Sequence, residues 1–200
     1  MPKLSLSLYQ QHVERWKGCT ACDLSKVRNR VVLARGTVPC DVLFVGEAPG
    51  DSEDVVGRPF CGPAGILMDH ILKRGVPAGI RVALTNLVCC LPKYDNLTGE
   101  PSRKNGVKGE PGDPEVEACS PRLKEFVEIA EPSLLVAVGN LARDWLDPDY
   151  RRGIKFGRKI PMVSIQHPAY IKRQNIAHQG LLVQKCVVQV RNAVLEHLEK

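Results

Sequence analysis

The sequence predicts an α/β protein: a single-domain, three-layer α/β/α sandwich with a mostly parallel central sheet. Apolar runs of strand length alternate with segments of helical periodicity, an order typical of parallel strands joined by helices. Residues 133–139 contain the run Leu-Leu-Val-Ala-Val, as in a central strand buried on both faces. With 200 residues, 44% of them hydrophobic, we expect one domain that spans residues 1–200.

The elements follow one another along the chain. The first strand is expected at residues 41–45, because the Glu-Ala-Pro-Gly that follows Gly46 cannot continue a β-ladder. Apolar side chains at helical spacing, with Pro63 in the first turn, predict a helix over 62–75. Residues 93–114 lack periodicity and are rich in Gly, Pro, Lys and Glu, which predicts a long exposed loop. Further strands are expected at 81–89, 133–139 and 160–165, and further helices at about 114–130, 139–146 and 181–199.

Three polar segments lie at or near the carboxyl ends of predicted strands. They are residues 46–49, Asn86 and His167. Ligands of open α/β sheets bind beyond the carboxyl ends of the strands. We therefore expect these segments to converge on one crevice.

The charge and the composition limit the possible partners. A formal charge of +6 suits a polyanionic partner without identifying one, and an aromatic content of only 5% favours one small pocket over a broad base-stacking surface. The N-terminus lacks the apolar run of a signal peptide, and no stretch approaches the roughly 18 apolar residues of a membrane span. We expect a cytoplasmic protein with no membrane partner.

The cysteines indicate a metal or cluster site. In the cytosol, Cys19-Thr-Ala-Cys22 is better interpreted as metal-binding or redox-active than as half of a disulfide framework. Together with Cys90 and Cys119 it could hold zinc or an iron–sulfur cluster, and the ligand type does not separate the two. Cys89 leaves the third ligand open by one residue, although strand alternation would let only one of the pair face the site. The remaining cysteines are expected to be ordinary thiols: Cys40, Cys61 and Cys186.

Three motifs in this order resemble family 4 uracil-DNA glycosylases, the iron–sulfur branch of that superfamily. They are residues 46–65, which begin Gly-Glu-Ala-Pro-Gly, residues 85–90, Thr-Asn-Leu-Val-Cys-Cys, and residues 167–170, His-Pro-Ala-Tyr. The resemblance extends from about Cys19 to the C-terminal helix. It implies a uracil-DNA glycosylase fold, excision of uracil from single- or double-stranded DNA to leave an abasic site, and a [4Fe-4S] cluster. The cluster ligands it implies are Cys19, Cys22, Cys90 and Cys119.

The reaction assigns a task to each motif. Cleavage of the N-glycosidic bond expels a uracil anion and leaves an oxocarbenium-like sugar, and the base must first be flipped out of a duplex. Glu47 is expected to orient or activate water, and His167 to donate a hydrogen bond to O2 of uracil. Phe60 is expected to stack on the base, and Asn86 carries the donor and acceptor that match N3–H and O4. The backbone of residues 46–49, including Ala48 and Pro49, is expected to supply further hydrogen bonds.

Other charged residues receive less specific predictions. Lys172 and Arg173 are expected to contact phosphates while Tyr170 or Ile171 presses into the duplex. Glu53 and Asp54 are interpreted as a solvated loop face, with Glu53 as a reserve catalytic candidate. Three basic residues of the long loop are candidates for nonspecific phosphate contacts: Arg103, Lys104 and Lys108.

The sequence also departs from the family. The segment between Cys90 and Cys119 is longer than usual, and Cys61 replaces a small aliphatic residue. A related branch forms a covalent adduct through a histidine in that segment, but no histidine occurs between His70 and His167, so this chemistry is not expected. Two alternatives stay open: excision of another deaminated base such as hypoxanthine, or a noncatalytic DNA- or partner-binding module of the same fold. The chain is expected to act as a monomer at the nucleoid.

Overall fold

The computed structural model describes residues 7–95, 98–102, 106–149 and 153–198. Its centre is a five-stranded sheet in the order β1-β3-β2-β6-β7, in which β1 runs antiparallel to β3 and the other neighbours are parallel. The prediction of a mostly parallel sheet is confirmed. The strands are β1 (Ala34–Gly36), β2 (Val42–Gly46), β3 (Val82–Asn86), β6 (Leu134–Val138) and β7 (Met162–Ile165), and a separate hairpin is formed by β4 (Lys93–Asp95) and β5 (Gly106–Lys108).

Helices cover both faces of the sheet. The four predicted helices are confirmed near their expected bounds. Among the described residues there are three further helices and a 3₁₀ turn at Asp23–Lys26. The helices are α1 (Leu8–Trp16), α2 (Asp51–Val56), α3 (Pro63–Gly75), α4 (Asp113–Ala130), α5 (Asn140–Leu146), α6 (Pro168–Lys172) and α7 (Ile176–Leu198). No helix among the described residues combines the length and the apolar character needed to cross a bilayer.

Alternate side chains of the central strands enter two separate cores. Val42 and Phe44 of β2 pack with α3 and α7, whereas Leu43 and Val45 pack with α4 and α5. All four side chains are fully buried, as the period of two along a strand requires when both faces are covered. The three-layer α/β/α sandwich is therefore confirmed.

The strand order determines where a crevice opens. The chain passes from β2 to β3 on one side, then returns across β2 to β6 and continues to β7. The loops after β2 and β6 therefore diverge, which is the topological switch point where open α/β sheets bind ligands. Glu47 and Gly139 lie directly after these two strands.

Two boundary predictions were wrong. The segment 93–114 is not a plain loop, because it contains the β4–β5 hairpin and its last residues begin α4 at Asp113. The strand predicted over 81–89 ends at Asn86, after which the amides of Leu87 and Val88 donate to the carbonyls of Gly46 and Glu47. Strand β1 went unpredicted because three residues are too few to show a period. Arg103 and Lys104 lie outside the described residues.

Candidate active site and cysteine cavity

Gly46 is the point at which the predicted base-reading residues meet. It pairs in register with Asn86 on the neighbouring parallel strand. A Cβ at Gly46 would overlap Oδ1 of Asn86 and lie 2.6 Å from Cζ of Phe60. Only glycine leaves room here, so the amide and the ring can both lie against the bare backbone of residue 46.

Phe60 is held in an uncommon conformation. Its φ of 52° lies in the left-handed region that non-glycine residues rarely adopt, and its side chain is buried. Such strain persists only where the surroundings impose it. Glu53 supplies part of that restraint, since its carboxylate accepts from the amide of Gly62 at 2.8 Å and from the amide of Gly50 at 3.1 Å.

The prediction that Glu53 and Asp54 form a solvated face was wrong. Glu53 caps α2 through Gly50 and ties it to the loop after Phe60. Asp54 is 1% exposed and accepts from the amide and the side chain of Asn29 at 2.9 and 2.6 Å, and from the amide of Arg30. Both carboxylates satisfy backbone donors, so their place is structural. Glu53, three residues after Gly50, stands at the capping-box position, a signal that sequence analysis could have used.

Glu47 and His167 line one cavity of about 830 Å³ at the switch point, hereafter the crevice. Its walls also include Gly139 from the end of β6 and Lys108, Gly109 and Glu110 from the hairpin segment. Gly139 has φ of 98°, and a Cβ there would lie 3.2 Å from Cβ of His167. The two predicted catalytic residues therefore face the same space.

His167 is neutral, and a hydrogen bond indicates which ring nitrogen carries its proton. Its Nδ1 accepts from the amide of Ala169 at 3.2 Å, where it caps α6, so the proton lies on Nε2. Burial, together with the charges of Lys108 and Arg173, lowers the pKa of His167 to about 4. The ring can thus donate a hydrogen bond at neutral pH without carrying a charge.

The carboxyl of Glu47 has a raised pKa. Burial is the main cause, and the nearby Glu110 carboxylate adds to it, while Lys108 and Arg173 act in the opposite direction. A carboxylate that is poorly solvated holds a proton more strongly and is a better base for water. Ala48 and Pro49 follow on the same loop; Pro49 is buried and has no N–H, so only its carbonyl can contact a ligand.

The predicted DNA-contacting residues separate into two groups. Ile171 was wrongly predicted, because its side chain is 0% exposed and packs in the core with Val183 and Val187. Tyr170 is 43% exposed and lines the crevice together with Arg173, and Lys172 is exposed beside them. Of residues 170–173, Tyr170, Lys172 and Arg173 therefore have side chains at the surface, as the prediction requires.

The four predicted ligand cysteines lie around one cavity, hereafter the cysteine cavity. They come from the segment before the 3₁₀ turn (Cys19, Cys22), the stretch after β3 (Cys90) and helix α4 (Cys119). Cys89 lines the same cavity, because the strand has already ended and alternation no longer applies. A hydrogen bond with Cys89, followed by the effect of Arg122, lowers the pKa of the Cys119 thiol well below its ordinary value. Cys40, Cys61 and Cys186 do not line this cavity.

Two arginines face the sulfur atoms. Arg28 donates to Sγ of Cys90 at 3.4 Å, and Arg122 donates to Sγ of Cys119 at 3.6 Å. Arg122 was not predicted from the sequence, although its spacing of three residues from Cys119 on a predicted helix places both on one face.

The lining residues of the cysteine cavity fit an anionic cluster. They include no carboxylate and no histidine, and Nε of Arg122 is a buried donor without an acceptor among the described residues. Within the described part of the chain no three acidic, histidine or cysteine groups lie close enough to hold one metal ion. An all-cysteine donor set with adjacent cations is compatible with iron–sulfur ligation.

Comparisons with known proteins agree with this geometry. The model of the Uracil DNA glycosylase superfamily matches residues 34–191. The type-4 uracil-DNA glycosylase of Thermotoga maritima is 32% identical over 198 residues, which cover 94% of this chain and 89% of the relative. That of Archaeoglobus fulgidus is 30% identical over 170 residues, covering 76% and 77%. The crystal structure of SMUG2 from Pedobacter heparinus shares the fold, with a TM-score of 0.56 and 10% identity over 77% of this chain and 76% of that one. The chain therefore belongs to the uracil-DNA glycosylase superfamily and, within it, to the type-4 family.

Proposed function

We propose that the protein excises uracil from DNA by hydrolysing the N-glycosidic bond, and so leaves an abasic site. The observation that carries this proposal is the convergence at the carboxyl end of the sheet. The amide of Asn86 and the ring of Phe60 both lie against Gly46, and the next residue, Glu47, shares the crevice with His167. The recognition pair, Asn86 and Phe60, therefore lies next to the catalytic pair, Glu47 and His167.

Asn86 and Phe60 select the base. The Asn86 side chain offers an acceptor to N3–H and a donor to O4 of uracil, whereas cytosine presents the reverse pattern at these positions. Asn86 is 3% exposed, so a mismatched base would leave buried polar groups unpaired at a cost of about 1–3 kcal/mol each. The Phe60 ring supplies a stacking surface for a base that has left the duplex.

Glu47 and His167 carry out the chemistry. The Nε2–H of neutral His167 donates to O2 of uracil, and this hydrogen bond strengthens as the departing base gains negative charge. Glu47, as a carboxylate, accepts a proton from the water that attacks C1′ of the sugar. Lys108 and Arg173 lie near both groups and place positive charge around the developing anion.

Tyr170, Lys172 and Arg173 hold the DNA. Lys172 and Arg173 contact phosphates, and Tyr170 is the exposed apolar group that can enter the space left by the flipped base. The net charge of +6 supports nonspecific attraction to the phosphate backbone.

Cys19, Cys22, Cys90 and Cys119 would hold a [4Fe-4S] cluster in the cysteine cavity. Such a cluster would cross-link distant segments of the chain and would serve a structural role without redox turnover. We further propose that residues 1–200 form one domain, since both cores share one sheet, and that the enzyme acts as a monomer. Genomic DNA as substrate would place it in the cytoplasm, at the nucleoid.

The decisive experiment is incubation of the purified protein with matched oligonucleotides that contain one uracil, one hypoxanthine or one cytosine, followed by alkaline cleavage. We expect cleavage only at uracil. Cleavage at hypoxanthine instead would assign another deaminated base, and binding without cleavage would make the protein a noncatalytic module.

The variant Asn86→Asp tests the recognition pair. We expect uracil excision to be lost or to shift toward cytosine, because the carboxylate replaces a donor with an acceptor. Unchanged uracil preference would contradict the role of Asn86.

A further inference from the structure

We propose that Arg122 is a positioning residue that couples the cysteine cavity to the base-reading side chain of Asn86. The proposal deepens the proposed function and rests on it. On this proposal, binding of the cluster in the cysteine cavity affects how well Asn86 recognises uracil.

Arg122 grips the end of β3 from helix α4. One guanidinium nitrogen, Nη2, donates to the carbonyls of Asn86 and Leu87 at 2.6 and 2.7 Å. The other, Nη1, donates to the hydroxyl of Thr85 at 3.1 Å. One planar group therefore holds three consecutive residues, with Asn86 in the middle.

These bonds restrain the direction of the Asn86 side chain. The hydroxyl of Thr85 donates onward to the carbonyl of Leu33 at 2.6 Å, which anchors the strand on its other side. With its carbonyl held by Arg122 and its register partner being Gly46, Asn86 has its backbone orientation restrained from two directions. The amide is thus aimed at the pocket before a base arrives, which is what selective binding requires.

The same side chain responds to the charge in the cysteine cavity. Arg122 is 1% exposed, and no ion pair among the described residues joins it to a carboxylate. A buried permanent cation needs an anionic neighbour. Sγ of Cys119 lies 3.6 Å from Nη2, and ligated thiolates carry the negative charge that this neighbour must supply. The guanidinium therefore connects Sγ of Cys119 to β3, the strand that ends in Asn86.

Arg28 provides the internal comparison. It contacts the cavity through Sγ of Cys90 at 3.4 Å and the carbonyl of Cys19 at 2.6 Å. Both partners belong to the ligand segments, whereas the partners of Arg122 also include residues 85–87. Arg28 thus places a positive charge beside the cysteine cavity, as Arg122 does. The hydrogen bonds to residues 85–87, however, come from Arg122.

The test compares three cluster-loaded variants: Arg122→Met, Arg122→Lys and Arg28→Met. Arg81→Met is the surface control, because Arg81 is an exposed arginine that forms an ion pair at the opposite end of β3. We expect both Arg122→Met and Arg28→Met to lose iron to a chelator about 10–100-fold faster than wild type, as loss of an outer-shell partner does. Arg122→Met alone should lose a further factor of about 10–100 in uracil kcat/KM per loaded cluster. Arg122→Lys should retain iron better than Arg122→Met but recover little of this turnover, because an ammonium lacks the planar fork.

A second measurement is independent of activity. Hydrogen exchange in peptides that span residues 82–88 should accelerate in Arg122→Met and stay at the wild-type rate in Arg28→Met. Equal turnover per cluster and equal exchange in the two methionine variants would overturn the proposal. If Arg122→Met fails to fold, wild-type turnover in Arg122→Lys would overturn it and reduced turnover with retained iron would support it. If wild-type protein does not excise uracil, the proposed function fails, while the exchange comparison still decides whether Arg122 organises the strand.

Discussion

The proposed base pocket around Gly46, Phe60 and Asn86 and the cysteine cavity both lie near the end of β3, yet they are formed by different kinds of elements. In the pocket and crevice, Glu47 immediately follows β2, Asn86 ends β3, and His167 lies two residues after the end of β7. The cysteine cavity gathers residues from the N-terminal segment, the stretch after β3 and the middle of α4. Sheet topology therefore positions the proposed catalytic residues, whereas the proposed ligand cysteines come from distant segments and depend on how helices pack.

The two regions also differ in electrostatics. In the crevice, burial and neighbouring cations keep His167 neutral, and burial raises the pKa of Glu47. In the cysteine cavity two arginines contact the sulfur atoms. The crevice is suited to proton transfer and the cavity to holding an anionic group.

The largest effect is expected from Gly46→Ala. The added methyl would collide with both Asn86 and Phe60, and the displacement of each group should cost about 10²-fold in kcat/KM, or about 10⁴-fold together. The cysteine cavity should be unaffected, so iron content should equal that of wild type. Gly180→Ala, at a helix position with open space, is the matched control and should keep full activity. A Gly46→Ala enzyme with normal turnover would show that the pocket lies elsewhere.

His167→Ala should have the next largest effect. Loss of the hydrogen bond to the departing base should lower kcat by about 10²–10³-fold. Loss of the cap on Ala169 should also destabilise the protein by about 1 kcal/mol, measured by thermal unfolding. His70→Ala, which removes an exposed histidine from α3, should change neither quantity. Full activity in His167→Ala would refute the leaving-group role.

Glu47→Gln should lower turnover by about 10²-fold and change its pH dependence. In wild type, kcat/KM should fall with decreasing pH as Glu47 becomes protonated, at a pH above that of an ordinary glutamate because its pKa is raised. This acid limb should disappear in Glu47→Gln. In Glu110→Gln the limb should persist but shift to lower pH, because the Glu110 carboxylate helps to raise the pKa of Glu47. An unchanged limb in Glu47→Gln would assign the titration to another group.

The smallest effect on turnover is expected from Cys89→Ala. This variant tests whether Cys89 or Cys90 is the third cluster ligand. If Cys90 is the ligand, Cys89→Ala should retain iron and lose about 0.5–3 kcal/mol of stability, as a buried substitution does. Cys90→Ala should then lose the cluster. Iron analysis of both variants decides the matter, and the reverse result would make Cys89 the ligand.

Sequence reasoning succeeded where a local rule applies. The strand after Asp41 and the helix after Gly62 follow from periodicity and punctuation, and the convergence of Glu47 and His167 on one crevice follows from the position of each after a parallel strand. It failed where solvent exposure had to be known. Asp54 looks like a surface charge but is buried against backbone amides, and Ile171 looks exposed between polar neighbours but lies in the core.

Residue order along the chain is enough to establish the layered architecture, the family and the candidate chemical groups, because strand period, helix period and turn residues act over a few neighbouring positions. The approach of both Phe60 and Asn86 to Gly46, the presence of both Cys89 and Cys90 at one cavity, and the hydrogen bonds from Arg122 to the end of β3 follow from packing between elements far apart in the chain. Such contacts depend on how helices and loops settle against the sheet, where close packing and the need to satisfy buried polar groups select among many arrangements that the same local patterns allow.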